Sequence, residues 1–197
     1  MITRDSLMTL EAYARARDEF RAKVMSHKKN RRVHLGKNVT LIFADELTIR
    51  YQIQEMLRAE KIFDEEGIQD ELKAYVPLVP DGSNWKATMM IEYPDPEERA
   101  ARLGELMGIE DRVWVRVNGL ERVYAIADED LERETEEKTS SVHFLRFELD
   151  AGMTASLRQG AALSMGVHHP GYQALVDPVP LPVRDSLLND INMEPAT

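Results

Sequence analysis

Three side chains that could bind a metal ion are spread along the sequence: His143, His169 and Glu55. Two imidazoles and one carboxylate form the donor set of many non-haem iron sites. Only tertiary folding could bring these residues together, because they are far apart in the chain. We therefore treat a transition metal such as iron as a candidate cofactor. The alternative role for either imidazole is structural, as a satisfied core residue or a turn residue before proline.

A second group of polar side chains suits an anionic ligand. Its members come from one helix, a late strand and a turn: Arg50, Tyr51, Gln54, Arg58, Arg146 and Tyr172. Guanidinium groups bind a carboxylate or phosphate through paired hydrogen bonds, so two or three of them in one cleft would favour a small anion. The alternative for the helical members is a solvated face with local pairing of Glu55 and Arg58.

Standard catalytic motifs are absent from the sequence. It contains no phosphate-binding G-x-x-x-x-G-K-[ST] loop, no G-x-G-x-x-G turn and no H-E-x-x-H zinc motif. The run from Ala162 through Ser164 to Gly166 is one residue short of a nucleophile elbow and leads into a His-Pro turn rather than a helix. Acyl-transfer chemistry is therefore not predicted.

The helix that carries most of the second group is predicted over residues 45–62. Ile49, Ile53 and Leu57 repeat at helical spacing, and Asp45 is a suitable N-cap. Other helices are predicted over residues 9–29, 68–75, 96–107, 153–159 and 184–191.

Strands are predicted where apolar residues alternate or β-branched residues cluster: 33–35, 39–43, 86–93, 112–117, 121–127, 141–149 and 161–167. The Asn118-Gly119 pair between two alternating runs indicates a hairpin. The acidic segment 128–138 is interpreted as a solvated helix or linker. The predicted class is α+β, a mostly antiparallel sheet of about six strands with helices packed on one face.

The chain of 197 residues is interpreted as a single α+β domain over residues 1–176. A Pro-rich C-terminal extension with one short helix is predicted over residues 177–197.

The composition excludes several classes of binding partner and of metal site. A formal charge of -10 argues against nucleic acid and anionic membranes, and the absence of cysteine excludes disulfides and thiolate sites. No stretch is apolar for long enough to span a bilayer, and the N-terminal sequence MITRDSLMTLEAYARARDEF lacks the apolar region of a signal peptide. A cytoplasmic location is therefore expected.

Long motifs along the chain carry a family resemblance. They are HKKNRRVHLG, LTIRYQIQEMLRAEKI, PDGSNWKATMMIEYPD, GIEDRVWV, YAIADEDLER, EEKTSSVHFLRFEL and MGVHHPGY. With these motifs the sequence resembles the bacterial family called domain of unknown function 3501 (DUF3501). The resemblance implies a genomic setting beside rubrerythrin-like proteins and iron-sulfur oxidoreductase subunits, and it supplies no catalytic residues.

The expected function is therefore an accessory or ligand-binding protein of a redox or peroxide-stress system. Its partner would be a rubrerythrin-like or iron-sulfur oxidoreductase protein, with a small anionic ligand as a further candidate. The alternative is a metal-dependent enzyme that uses His143, His169 and Glu55 on a small anionic substrate. A third hypothesis is a scaffold whose acidic segment, residues 128–137, docks a basic partner.

Overall fold

The computed structural model of the protein describes residues 1–191. Its contacts divide the chain into two compact units. The helical unit comprises residues 1–30 and 44–80, and the sheet unit comprises residues 31–43 and the chain from 81 onward. The sequence interpretation of one domain over residues 1–176 does not distinguish these units. Residues 192–197 of the predicted extension lie outside the described part of the chain.

The helical unit contains α1 (Leu10–Lys28), α2 (Glu46–Ala59) and α3 (Glu65–Tyr75). Each helix begins after a side-chain cap, because the oxygens of Thr9, Asp45 and Asp64 accept hydrogen bonds from first-turn N–H groups. The apolar core of this unit consists of Ile2, Leu7, Ile49, Ile53, Leu57, Ile68 and Leu72.

The sheet unit contains nine strands within the described residues. They are β1 (Arg32–Leu35), β2 (Val39–Phe43), β3 (Asn84–Ile91), β4 (Val113–Val117), β5 (Arg122–Tyr124), β6 (Ile126–Ala127), β7 (Val142–Glu148), β8 (Leu163–His169) and β9 (Tyr172–Val176). The strands form two antiparallel sheets, with orders β1-β2-β3-β7-β6 and β5-β4-β8-β9. Ala125 alone separates β5 from β6, so the chain passes from one sheet to the other within a single residue.

One apolar core joins the two sheets. Alternating side chains along β3, β4 and β7 point into it, as an antiparallel sheet with one packed face requires. Its aromatic members include Trp85, Phe43 and Phe147, and the ring of Phe43 lies 6.3 Å, centroid to centroid, from each of the other two. The unit also contains α4 (Pro96–Glu105), α5 (Ala151–Arg158) and α6 (Leu181–Leu188).

The segment after Asp177 packs into the core of the sheet unit. Val179, Val183 and Leu187 are buried there, and the indole N–H of Trp85 donates to the carbonyl of Leu187 at 2.9 Å. The described part of the predicted extension, up to residue 191, is thus integral to the sheet unit.

The α+β class predicted from the sequence is confirmed, with six α-helices and two antiparallel sheets among residues 1–191. The strands form two sheets rather than one, and β9 is a strand that the sequence analysis missed. The acidic segment 128–138 contains no α-helix and is a loop. No helix among the described residues combines the length and apolar character needed to cross a membrane.

Candidate functional site

The imidazole of His143 lies in the interior of the sheet unit and is fully buried. β7 places it there, because the alternation of the strand turns His143 inward with Leu145 and Phe147. Its Nδ1 lies 2.5 Å from Oδ2 of Asp128. Its Nε2 lies 2.9 Å from Oγ1 of Thr139 and 3.0 Å from the carbonyl oxygen of Ser140. Both ring nitrogens therefore face oxygen atoms.

Asp128 is held in place by its own backbone and by two donors. It follows β6 with a left-handed φ of 50°, which turns its side chain toward β7. Its Oδ1 accepts hydrogen bonds from the N–H of Phe144 at 2.9 Å and from the guanidinium of Arg133 at 3.1 Å. The carboxylate is thus fixed against the imidazole of His143.

Glu110 brings a second carboxylate to the same place. It lies in a short 3-10 turn, Ile109–Arg112, that starts after Gly108 in the left-handed conformation. The residue is 8% exposed, and its Oε2 has no hydrogen-bond partner among the described residues. This oxygen lies 4.0 Å from Nε2 of His143. Burial raises the pKa of the Glu110 carboxyl above its ordinary value.

These three residues form the only group of at least three potential metal-binding side chains found among the described residues. One donor atom from each of Glu110, Asp128 and His143 lies within 4.8 Å of the others. The donor set is one imidazole nitrogen and carboxylate oxygens, which suits a divalent transition cation. We call this group the His143 cluster.

His169, the second predicted metal ligand, lies apart from the His143 cluster in the topology. It ends β8 in the four-stranded sheet, whereas His143 lies on β7 in the five-stranded sheet. Its Nε2 donates to the carbonyl of Met107 at 2.9 Å, and its Nδ1 accepts the N–H of Gly171 at 3.0 Å. Both nitrogens therefore have backbone partners. His169 also lines a cleft of about 540 Å³ together with Met107, Gly108, Asp111, Arg112, Tyr124 and Pro170.

Glu55, the third predicted ligand, belongs to the helical unit. Its carboxylate accepts hydrogen bonds from Nε of Arg17 and from the hydroxyl of Tyr13, each at 2.7 Å. Arg58 approaches the same carboxylate at 3.5 Å. The Arg17 hydrogen bond holds the pKa of Glu55 at about 2. Glu55 is thus the centre of an ion-pair network that joins α1 to α2.

The other predicted residues of α2 also have partners within the helical unit. Arg50 donates to the carbonyl of Ser6 at 2.6 Å and to Glu46 at 2.9 Å. The amide of Gln54 is buried and binds the backbone N–H and carbonyl of Met8. The ring of Tyr51 is buried as well, with Nζ of Lys28 5.2 Å from its centroid.

Arg146 and Tyr172 lie in the sheet unit. The guanidinium of Arg146 binds Glu129 through two hydrogen bonds of 2.8 and 2.6 Å and also pairs with Glu148. The hydroxyl of Tyr172 donates to the carbonyl of Leu35 and accepts the N–H of Asn38. Each predicted arginine of the anion-binding group therefore already pairs with a carboxylate of the protein itself, and the prediction that they bind an external ligand stays a prediction.

A second cleft in the sheet unit contains polar side chains that do not pair with other described groups of the protein. It has a volume of about 580 Å³ and is lined by Lys37, Asn38, Ile91, Glu92, Tyr93, Pro94, Arg99 and Ser141. The side-chain donors of Lys37, Arg99, Tyr93 and Ser141 make no hydrogen bond with any described residue. We call this the cationic cleft, because its two cations outnumber the single carboxylate of Glu92.

The comparisons with known proteins agree with the sequence motifs. The sequence model of the family described as "Protein of unknown function (DUF3501)" matches residues 1–191. The chain belongs to the DUF3501 family. A crystal structure of a novel protein of unknown function from Burkholderia pseudomallei K96243 is similar to this DUF3501 protein, with 59% sequence identity and a TM-score of 0.88. The similarity covers 97% of this chain and 99% of that chain. No curated protein matches the sequence.

Sequence reasoning missed most of the residues that the two sites of this DUF3501 protein use. Of the His143 cluster, only His143 was identified, because Glu110 and Asp128 lie in short connections without periodic signal. Lys37, Tyr93, Arg99 and Ser141 come from four separate segments, and their meeting is a product of tertiary structure. The detectable signal was the position of Asp128 and Ser141 at the ends of strands, where a sheet exposes polar side chains.

Proposed function

We propose that this DUF3501 protein is a cytoplasmic accessory protein of a redox system that binds a small anionic ligand in the cationic cleft. The supporting observation is that Lys37 and Arg99 line one cleft without a hydrogen-bonding partner among the described residues. The hydroxyl groups of Tyr93 and Ser141 add two donors that an oxyanion could use. A volume of about 580 Å³ suits a small molecule.

Charge supports an anion over a neutral ligand. Lys37 and Arg99 carry two positive charges against the one carboxylate of Glu92. Ammonium and guanidinium groups bind carboxylate and phosphate oxygens more strongly than neutral donors do. The protein as a whole carries a formal charge of -10, so attraction must be local and will weaken as salt screens it.

The redox setting rests on the family resemblance and on composition. The sequence contains no cysteine, so a bound ligand or a partner protein must supply any electron transfer. A rubrerythrin-like or iron-sulfur oxidoreductase protein is the proposed partner, and the cytoplasm is the proposed location. Isothermal titration of the purified partner into this protein measures that interaction directly.

The alternative of a metal-dependent enzyme with His143, His169 and Glu55 as ligands has less support. Glu55 belongs to the helical unit and is neutralised by Arg17. Both nitrogens of His169 bind backbone groups. A cation at these two residues would have to displace partners that the protein already supplies.

Calorimetric titration with inorganic phosphate, acetate and succinate tests the proposal. We expect at least one of these anions to bind the wild-type protein. The double variant Lys37→Gln/Arg99→Gln should bind it about tenfold or more weakly, because each lost charge-assisted hydrogen bond contributes about 1.5 kcal/mol or more. The control is Arg21→Gln/Lys23→Gln on α1, which removes the same charge from exposed side chains outside the cleft. Absence of binding in the wild type, or equal binding by the two double variants, contradicts the proposal.

A further inference from the structure

Nε2 of His143 is surrounded by oxygen atoms. Nδ1 faces the carboxylate of Asp128 at 2.5 Å, which assigns the ring proton to that nitrogen. The lone pair of Nε2 then faces the hydroxyl of Thr139 at 2.9 Å, which can donate to it, and the carbonyl oxygen of Ser140 at 3.0 Å, which is an acceptor. Two acceptors at this distance repel each other unless a proton or a metal ion lies between or beside them.

Glu110 provides a second donor atom that a metal ion could join to His143. A second proton on His143 would satisfy Ser140, but Oε2 of Glu110 is 4.0 Å from Nε2 and lies beyond hydrogen-bond distance. That oxygen is buried and has no partner among the described residues, which is costly for a carboxylate. A cation with bonds of about 2.1 Å to nitrogen and oxygen can join atoms up to about 4.2 Å apart. A metal ion can therefore contact both groups at once.

We propose that the His143 cluster is a binding site for a divalent first-row transition cation, with Nε2 of His143 and Oε2 of Glu110 as ligands. Asp128 orients the imidazole through Nδ1, as carboxylates do for many metal-binding histidines. The hydroxyl of Thr139 lies 2.9 Å from Nε2 and offers a further oxygen close to the ion.

The donor set narrows the choice of cation. It contains one imidazole and several oxygen donors, and the chain has no cysteine to provide sulfur. Imidazole suits iron, zinc and copper, while carboxylate and hydroxyl oxygens suit manganese and magnesium. Iron(II) and manganese(II) accept both donor types, so they are the cations that this site should prefer.

Metal titration of chelator-treated, tag-free protein tests this site. Manganese(II), zinc(II) and, without oxygen, iron(II) are added separately, and binding is followed by calorimetry and by the loss of the free manganese(II) signal in electron paramagnetic resonance. We expect about one manganese(II) or iron(II) ion per chain. The affinity for zinc(II) should exceed the affinity for these two ions by less than it does at ordinary protein sites. The thermal midpoint of unfolding should rise with the metal concentration.

Two variants separate a metal site from a structural cluster. Glu110→Gln keeps the shape of the side chain and should weaken manganese(II) binding about tenfold or more, while the metal-free protein remains folded. Asp111→Asn is the matched control, because Asp111 is an exposed carboxylate in the same turn and should bind within about twofold of wild type. His143→Gln should abolish binding.

Failure to bind any of the three cations stoichiometrically would overturn the proposal. Unchanged binding by Glu110→Gln would do the same, since any bound ion would then lie elsewhere. The result is independent of the anion proposal, because Lys37→Gln/Arg99→Gln should bind manganese(II) as the wild type does.

Discussion

Nδ1 of His143 lies 2.5 Å from Oδ2 of Asp128; the imidazole is fully buried, and the side chain of Asp128 is 10% exposed. Asp128 reaches this position from the loop after β6, across 15 residues of sequence. The contact therefore anchors the start of the acidic loop, residues 128–140, to β7. This contact thus connects the buried imidazole of β7 directly to the acidic loop.

We expect Asp128→Asn to lower the free energy of unfolding by about 2–3 kcal/mol, because an amide cannot replace the charged partner of a buried imidazole. Urea denaturation at neutral pH measures the change. Asp130→Asn is the control, since Asp130 also pairs with Arg133 but is exposed, and it should change stability by less than about 1 kcal/mol. Equal losses would assign the effect to Arg133 instead of His143.

Glu55 should make the helical unit sensitive to acid. Arg17 lowers the pKa of its carboxyl from 4.5 to about 2 in the folded protein. The unfolded chain therefore takes up the proton first, so this contribution is complete above pH 4.5 and is lost as the pH falls toward 2. Partial solvent screening limits it to about 1–2 kcal/mol.

Denaturation of wild type and Glu55→Gln at a series of pH values checks this prediction. The variant should be less stable at pH 7, and the difference should shrink as the pH falls below 4.5. Glu11→Gln removes an exposed carboxylate of the same helical unit and should show no comparable trend. A constant difference between Glu55→Gln and wild type at all pH values would contradict the assignment.

Gly36 should resist substitution for two separable reasons. Its φ is +75°, and an added Cβ would lie 2.5 Å from the hydroxyl of Tyr172. Gly119 has a similar φ of +81° but nothing within 4 Å, so Gly119→Ala reports the backbone strain alone. We expect about 1 kcal/mol of destabilisation for Gly119→Ala and about 2–3 kcal/mol for Gly36→Ala.

A double variant isolates the steric part of that effect. In the Tyr172→Phe background the hydroxyl is gone and the nearest ring carbon is 3.3 Å from the added Cβ, so Gly36→Ala should cost only slightly more than Gly119→Ala. Thermal or urea denaturation of the four proteins measures the coupling. Additive effects of Gly36→Ala and Tyr172→Phe would show that the clash is relieved elsewhere.

The ion pair between Arg31 and Asp190 should be essential to the sheet unit. Arg31 is fully buried, and its guanidinium binds both oxygens of Asp190 at 3.1 and 2.6 Å. Arg31→Met leaves that buried carboxylate without its main partner and should cost about 3–5 kcal/mol by urea denaturation. Arg32→Met, at the exposed neighbouring position, should cost less than about 1 kcal/mol. A small loss in Arg31→Met would mean that this ion pair contributes little to the stability of the sheet unit.

The sequence predicted those elements whose signals are local. α2 was recognised because Asp45 caps a helix in which Ile49, Ile53 and Leu57 share one face, and the structure has this helix at Glu46–Ala59. β9 was missed because its sequence, YQALV, does not alternate between apolar and polar residues, although half-buried and exposed positions alternate along it in the structure. The division into two sheets was also beyond local signals, since β4 pairs with β8 across a long stretch of sequence.

The candidate site shows the same limit at the level of side chains. Glu129 and Arg133 are four residues apart, the spacing of a helical ion pair, but residues 128–138 form a loop, so this spacing does not bring them together. Arg133 pairs with Asp128 and Asp130, while Glu129 reaches Arg146 on β7. The partners of a charged residue in a loop depend on which strand lies beside it, and no sequence period carries that information.

The segment after Asp177 also determines when the sheet unit can complete its core during translation. The carbonyl of Leu187, which accepts the indole N–H of Trp85, lies 102 residues later in the sequence. Asp190, which pairs with Arg31, lies 159 residues later. Until residue 190 leaves the ribosome, the nascent sheet therefore holds a guanidinium and an indole N–H without these native acceptors. The helical unit is complete by residue 80, so it can fold while the sheet unit is still being synthesised.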